Sequence, residues 1–512
     1  MKHLHGLALL IAIFITGSRA SQPTALYYHD QLVDHTQATE NKWTQRYYTS
    51  DEHFAGPGHP IFLVMGGEGA IPESTGLFYP FIHDHLAKHF GAYVLQPEHR
   101  FYGESQPLGT FPTSSDEMVR LVTSEQAMAD AVRLLKSVRD YELGCSPDRT
   151  SSDYCPVITV GGSYPGFLSA MMRVVHPDVI DMSYAASAPM KFYDQTVRQD
   201  EYYDHITSVA ESSSVGCADA VRRTLAAVSV KIQKSDNFVS VASDMGICPS
   251  TIPTYIGSGR SFRDELMMIV AYTFANYNMA YYPPGKNTRL FNACQIFQSD
   301  SKSALDNLRR FLLLMNGLND TKDGRCFFDL SHQLPTGTNA TITSGDWSGV
   351  GTGDDGRIWD LQTCTLLVEH IGFSETSMFP ARPWSMDWLV SHCKSRFGVV
   401  PHPYELARKW GFDDLLMNAN TSRILFTNGM NDGWSVGGIR KDLSENILAV
   451  NIETGAHHSD LSRKGPSQDD TEEMKRIFGT IRSILSRWVG DVRKEGNLCG
   501  TEGCAGAAHV TR

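Results

Sequence analysis

Three short segments carry residues that could act together as nucleophile, acid and base. The first is Gly161-Gly162-Ser163-Tyr164-Pro165-Gly166. A serine at a sharp turn from strand to helix is held exposed, with the helix N-terminus behind it. Flanking glycines allow that turn without a Cβ clash. Pro165 breaks the usual Gly-X-Ser-X-Gly pattern, yet in a helix's first turn proline gives up only a donor that would be unpaired anyway. The second segment, Thr427-Asn-Gly-Met-Asn-Asp432-Gly433-Trp434, brings a carboxylate, and the third, Glu453-Thr-Gly-Ala-His457-His458, brings two imidazoles. Serine alone is a poor nucleophile. A histidine must take its proton, and an acid must hold the imidazole tautomer and stabilise its positive charge. The order Ser163, Asp432, His457, each on a loop after a predicted strand, is that of the α/β-hydrolase triad and not that of chymotrypsin or subtilisin. Taken singly, each piece has a plainer reading: a glycine-rich turn with an idle serine, a turn-capping aspartate, a hydrogen-bonded loop histidine.

The elements that must position these residues are legible as apolar runs. Ile61-Phe-Leu-Val-Met65 ends in Gly66-Gly67-Glu68-Gly69, as a buried strand feeding a tight loop does. Ala92–Leu95, Val157–Val160, Arg423–Thr427 and Ile447–Ile452 read as further strands. Thr123-Ser-Glu-Gln126 fits a capping box, with Met128, Ala131, Val132, Leu135 and Val138 following at helical spacing. Met474, Ile477, Ile481, Ile484, Leu485 and Trp488 mark a closing amphipathic helix. Strands alternating with helices predict a parallel sheet covered on both faces. Between about Phe192 and Pro403 that rhythm gives way to helical stretches such as Ala304 to Met315 and to loops rich in Gly, Asp and Thr. The expected organisation is a leader over 1–20, an α/β-hydrolase part over 21–191, and a mainly helical, disulfide-containing cap inserted at 192–404. The second hydrolase part covers 405–490 and a tail 491–512.

Composition narrows the partners. The chain has 512 residues, 41% hydrophobic and 20% charged, an ordinary globular mixture too apolar for disorder. The formal charge of −12 and the lack of any Lys/Arg-rich run argue against a nucleic-acid partner. Met1-Lys2-His3, an apolar Leu7–Ile15 and Ser18-Arg19-Ala20 describe a signal peptide cut after Ala20. No later apolar run reaches the ~20 residues of a membrane span. The secretory pathway, ending outside the cell or in a lysosome or vacuole, is therefore expected. Ten cysteines, an even number, are consistent with five bridges, with Cys145–Cys155 and Cys499–Cys504 the nearest pairs. Sequons at Asn319, Asn339 and Asn420 are candidate glycosylation sites. Neither Cys-X-X-Cys nor His-Glu-X-X-His spacing occurs, so no metal site is expected. A homodimer is compatible with the sequence.

Glu98-His-Arg-Phe-Tyr-Gly-Glu-Ser105, Leu121-Val-Thr-Ser-Glu-Gln-Ala127, Gly161-Gly-Ser-Tyr164, Ser187-Ala-Pro189, Asn428-Gly429 with Asp432 and Trp434, and Gly455-Ala-His-His458 form one set. That set resembles the serine exopeptidase family of lysosomal prolyl carboxypeptidase, a prolyl-specific dipeptidyl peptidase and thymus-specific serine protease. The likeness runs from about residue 30 to 490. It departs at Asp432-Gly433-Trp434, where the family commonly has Asp-Pro-Trp, at Pro165, and at Ser459, where the family usually has leucine.

By that resemblance Ser163 is the nucleophile, Asp432 the orienting acid and His457 the general base, with His458 the adjacent candidate. The oxyanion would be met by the backbone N–H of Tyr164 and a second donor near Gly66 and Gly67. No metal or organic cofactor is needed. The resemblance also implies cleavage of short peptides after proline beneath the cap. Trp359, Trp384, Trp388 and Trp434 are candidates for an aromatic proline slot. A carboxylate for a substrate amine could come from Glu68, Asp354, Asp355 or Asp360, whereas a carboxypeptidase mode needs a cation or donor instead. An esterase or lipase, and a catalytically silent binding protein on the same fold, remain alternatives.

Overall fold

The computed structural model describes residues 24–502, leaving aside 38–39, 74–75, 235–237, 249–261, 316, 319–325, 328–353 and 419–420. The expected leader, the three sequons, Cys504 and the side chain of Cys499 lie outside the described residues. Eight strands form one sheet: β1 (Leu26–Leu32), β2 (Lys42–Ser50), β3 (Ile61–Val64), β4 (Tyr93–Pro97), β5 (Val157–Gly162), β6 (Met182–Ala186), β7 (Ile424–Gly429) and β8 (Ile447–Ile452). Their order is β1-β2-β4-β3-β5-β6-β7-β8. β1 and β2 pair antiparallel, as do β2 and β4, and every other pairing is parallel. The fold is that of an α/β hydrolase.

The period of two along a strand explains how the sheet gains two covers. In β3, Ile61 and Leu63 enter the core shared with Met128, Leu135, Phe167 and Met171, from the helices Ser124–Ser137 and Tyr164–Val175. Phe62 and Val64 face the other way, against Met474, Phe478, Ile481, Leu485 and Trp488 of the closing helix Glu472–Glu502. That helix continues past residue 490, where a tail is expected from the sequence, because Val489 and Val492 carry its apolar stripe on into the core. Thr123 caps the helix Ser124–Ser137 by accepting from Gln126 N. The Gln126 side chain serves Asp34, His35 and Arg100 instead of closing a capping box.

Three strands carry no clear apolar pattern. β1 and β2 are antiparallel additions whose buried positions include polar residues: Gln31 donates to Gln45, and Arg46 pairs with Glu98 at 2.5 Å. β6 mixes Met182 and Tyr184 with the small Ser183, Ala185 and Ala186, and the helix Tyr164–Val175 lies close upon it. A Cβ on Gly166 would sit 2.6 Å from the Ala186 carbonyl oxygen.

Between β6 and β7 the chain runs through helices that include Glu201–Ser213, Cys217–Lys234, Phe262–Met279, Arg289–Phe297, Ala304–Met315, Asp354–Thr363 and Met386–Phe397. Three bridges fasten this segment, Cys217–Cys294, Cys248–Cys326 and Cys364–Cys393. The fourth, Cys145–Cys155, joins the expected near pair. Among the described residues no helix is long and apolar enough to cross a membrane.

Candidate active site

Parallel strands end on one edge, and at that edge the loops after β3, β5, β7 and β8 meet. The loop after β5 holds Ser163 at φ 66° and ψ −133°, a left-handed conformation that costs a non-glycine residue about 1–3 kcal/mol. Its surroundings over-determine it. Ser163 N donates to Ala186 O at 2.9 Å, and Phe167 N donates to Ser163 O at 3.1 Å. A Cβ on Gly161 would lie 2.0 Å from Pro165 O, and one on Gly162 would lie 2.7 Å from the His458 ring. Only glycine fits at either position.

The loop after β7 puts Asp432 at the N-cap of a short 3₁₀ helix, Gly433–Gly437. Its Oδ1 accepts from Trp434 N at 3.1 Å, and its Oδ2 accepts from His457 Nδ1 at 2.6 Å. The carboxylate is fully buried. A hydrogen bond at Nδ1 leaves Nε2 of a neutral His457 free to accept a proton. The segment between β6 and β7 steadies both loops. Asn278 Oδ1 accepts from Gly433 N, Met279 O accepts from His457 N, and His205 Nε2 donates to Met430 O.

His458 has different surroundings. Its ring meets Tyr79 edge-on and lies against Gly162, and burial together with the neighbouring His457 lowers its pKa to about 3. Below it, Tyr184 and Thr427 donate to the buried Asp460 at 2.5 and 2.6 Å, tying this loop to β6 and β7.

Ser163, His457 and His458 line one cavity of about 420 Å³ together with Gly67, Glu68, Tyr79, Tyr164, Pro165, Trp359 and Trp434. No hydrogen bond joins Ser163 Oγ to His457 in this geometry; such contacts are commonly loose before substrate binds. Gly67 abuts the elbow so closely that a Cβ there would lie 2.7 Å from Pro165 Cγ. As the first residue of its helix, Tyr164 has a backbone N–H with no intrahelical partner. The Tyr164 side chain is pinned beneath: His99 Nδ1 donates to Arg100 O, which leaves Nε2 to accept from the Tyr164 hydroxyl at 3.1 Å. Ser124 and Gln362 complete that hydroxyl's partners at 3.1 and 3.2 Å.

The other residues expected from the sequence separate into groups. Trp359 and Trp434 stand in the catalytic cavity, Trp359 edge-on to Tyr164 and Trp434 against Phe192 and Tyr202. Trp384 and Trp388 line an adjoining cavity of about 370 Å³. Of the acids named from the sequence, Glu68 alone is on the catalytic wall among the described residues. Asp355 accepts from Ala70 N at 3.4 Å. The side chain of Asp354 lies outside the described residues. Asp360 is held by His392 and by Arg396 and lines the adjoining cavity. Although Cys364 is near Asp360 and His392, it is bonded to Cys393 and offers no thiolate to a metal. A larger cavity, about 680 Å³, opens elsewhere between Arg222, Arg263 and Arg382 and shares no lining residue with the catalytic one.

Tyr79, Tyr202, Asn278 and Glu369 belong to the site without having been singled out by the sequence. Glu369 had a signal, an acid closing the apolar run Leu366-Leu367-Val368. The others had none, since their roles arise from contacts across the fold.

A family model described as serine carboxypeptidase S28 matches residues 31–477. The mouse protein named lysosomal Pro-X carboxypeptidase is 27% identical, over 91% of this chain and 89% of its own. Its human counterpart is 26% identical over 86% and 84%. Mouse thymus-specific serine protease is 26% identical over 91% and 87%.

Proposed function

The chain belongs to the serine carboxypeptidase S28 family, and from that premise we propose that it hydrolyses short peptides after proline with Ser163, His457 and Asp432 as its triad. Membership makes it a serine peptidase. The observation that carries the assignment of roles is the 2.6 Å hydrogen bond from His457 Nδ1 to the buried Asp432, at a cavity whose wall includes Ser163.

In this reading Ser163 Oγ attacks the scissile carbonyl carbon while His457 Nε2 takes the hydroxyl proton. Asp432 stabilises the imidazolium and keeps Nδ1 protonated throughout. The carbonyl electrons collapse onto oxygen, where the N–H groups of Tyr164 and Gly67 receive the negative charge. The close approach of Gly67 to Pro165 supports the second donor. Collapse of the tetrahedral adduct breaks the C–N bond, and His457 returns its proton to the leaving amine. Water then attacks the acyl-enzyme, with His457 again as base, releasing the acid and restoring Ser163.

Selectivity for proline draws on two supports. Relatives are named for Pro-X cleavage, and the cavity offers Trp359, Trp434 and Tyr202 as faces for a rigid apolar ring. Tyr202, Met279 and Trp359 come from the segment between β6 and β7, which we take to be a cap over 192–404 that excludes long chains. The four disulfides and the lysosomal relatives are consistent with the secretory pathway. The test is turnover of a chromogenic peptide with proline before the scissile bond against the same peptide with alanine. Faster release from the proline peptide, lost in Ser163→Ala, supports the proposal; equal release from both, or turnover surviving in Ser163→Ala, counts against it.

A further inference from the structure

The side chain of Tyr164, next to Ser163 on the elbow, is buried, and its hydroxyl gathers residues from three parts of the chain. His99 follows β4, Ser124 opens the helix Ser124–Ser137, and Gln362 belongs to the helix Asp354–Thr363, between β6 and β7. Counting protons fixes each role. Burial raises the Tyr164 pKa, so the phenol keeps its one proton. That proton goes to His99 Nε2, because Nδ1 is the nitrogen that donates to Arg100 O. The phenol oxygen then accepts from Ser124 Oγ at 3.1 Å and from Gln362 Nε2 at 3.2 Å.

The same count fixes the Gln362 amide. Its Oε1 accepts from the buried Tyr102 hydroxyl at 2.5 Å. A flipped amide would turn Oε1 toward Tyr164, whose proton is already committed. The helix carrying Gln362 is anchored in turn: Asp360 binds His392 and Arg396, and Cys364 is bonded to Cys393, all three from the helix Met386–Phe397. Gln362 is not among the residues lining the catalytic cavity, whereas Trp359 of the same helix lines it and meets the Tyr164 ring edge-on at 5.2 Å.

We infer that Gln362 is a positioning residue: by donating to the Tyr164 hydroxyl, it holds in place the residue whose backbone N–H receives the oxyanion. The inference rests on the serine-peptidase reading above, with Tyr164 N–H as an oxyanion donor. The tyrosine ring is a rigid lever, so moving its hydroxyl tilts the first peptide of the elbow helix. Oxyanion stabilisation depends on donors already aimed at the developing charge, which makes it sensitive to such a tilt. The segment between β6 and β7 thereby governs the chemical step as well as the walls of the cavity.

The experiment uses the full chain, a chromogenic proline peptide and p-nitrophenyl acetate, an ester too small to fill the walls that hold a peptide. Rates are divided by active sites counted with a fluorophosphonate. Gln362→Met keeps the side chain's length and removes the donor. It should lower kcat on the peptide about tenfold with KM within about twofold, and lower kcat/KM for the ester by the same factor. Tyr164→Phe should give a similar loss, and the double variant should be no slower than the slower single one, since both remove one interaction. Tyr102→Phe deletes one hydroxyl, loosens the Gln362 amide and should cost both substrates about threefold; it carries the test if Gln362→Met does not fold. A loss carried by KM, an ester still cleaved at the wild-type rate, losses that multiply in the double variant, or no change in both Gln362→Met and Tyr102→Phe overturns the positioning role yet leaves the peptidase. A wild type that turns over neither substrate overturns the triad reading instead.

Discussion

Asp432 Oδ2 accepts a 2.6 Å hydrogen bond from His457 Nδ1, while the next residue, His458, turns its ring onto Gly162 and Tyr79. Two adjacent imidazoles are thereby given different work. One is held by a carboxylate with its second nitrogen free; the other is a packing residue kept neutral by burial. Asp432→Asn should leave the geometry intact but favour the wrong tautomer, lowering kcat by about 10³–10⁴ with KM little changed. Steady-state kinetics on a proline peptide measures it.

The same distinction separates the two histidines. His457→Ala should lose about 10⁴-fold or more in kcat, because nucleophile and base act as a unit. His458→Phe keeps a flat ring against Gly162 and should lose less than about a hundredfold, the scale of a small misplacement. Equal losses would contradict the assignment.

Gly67→Ala places a Cβ 2.7 Å from Pro165 Cγ, so the loop after β3 must retreat from the elbow. One oxyanion donor would withdraw, and kcat should fall by about 10²–10³. Circular dichroism and Tm should stay near wild type, since the change is confined to a loop.

Protonation of buried groups predicts how stability depends on pH. Burial lowers the His99 pKa to about 4, below its ordinary 6.5, so the unfolded chain binds the proton more readily. Its contribution is whole above pH 6.5 and is lost as pH falls through 4, where Nε2 can no longer accept from Tyr164. Glu369, raised to about 8, has the opposite sign: its contribution is whole below pH 4.5 and is lost as pH rises through 8. Melting curves from pH 3 to 9 should flatten on the acid side in His99→Gln and on the alkaline side in Glu369→Gln.

The legible parts of the fold were those written in one repeating chemistry. β3, β5 and β7 are apolar runs because both their faces are covered, and the closing helix shows its stripe because one face is. β2 was not legible because its buried positions hold Arg46 and Gln45, satisfied by Glu98 and its carbonyl oxygen from β4's end of the sheet. β6 was hidden by the small residues that let the elbow helix approach. In the candidate site, Ser163, Asp432 and His457 stood out because each sits on a glycine-bearing loop just past a strand. Tyr79, Tyr202 and Asn278 did not, since nothing local marks a residue whose partner lies across the fold.

The central claim is that Ser163 is the activated nucleophile at the carboxyl edge of the sheet. Treating the native protein with a fluorophosphonate and locating the adduct by peptide mass tests it most directly. The account predicts one adduct, on the peptide carrying Ser163, absent in Ser163→Ala and greatly slowed in His457→Ala. Folded wild-type protein that takes no label, or takes it on another residue, would contradict it.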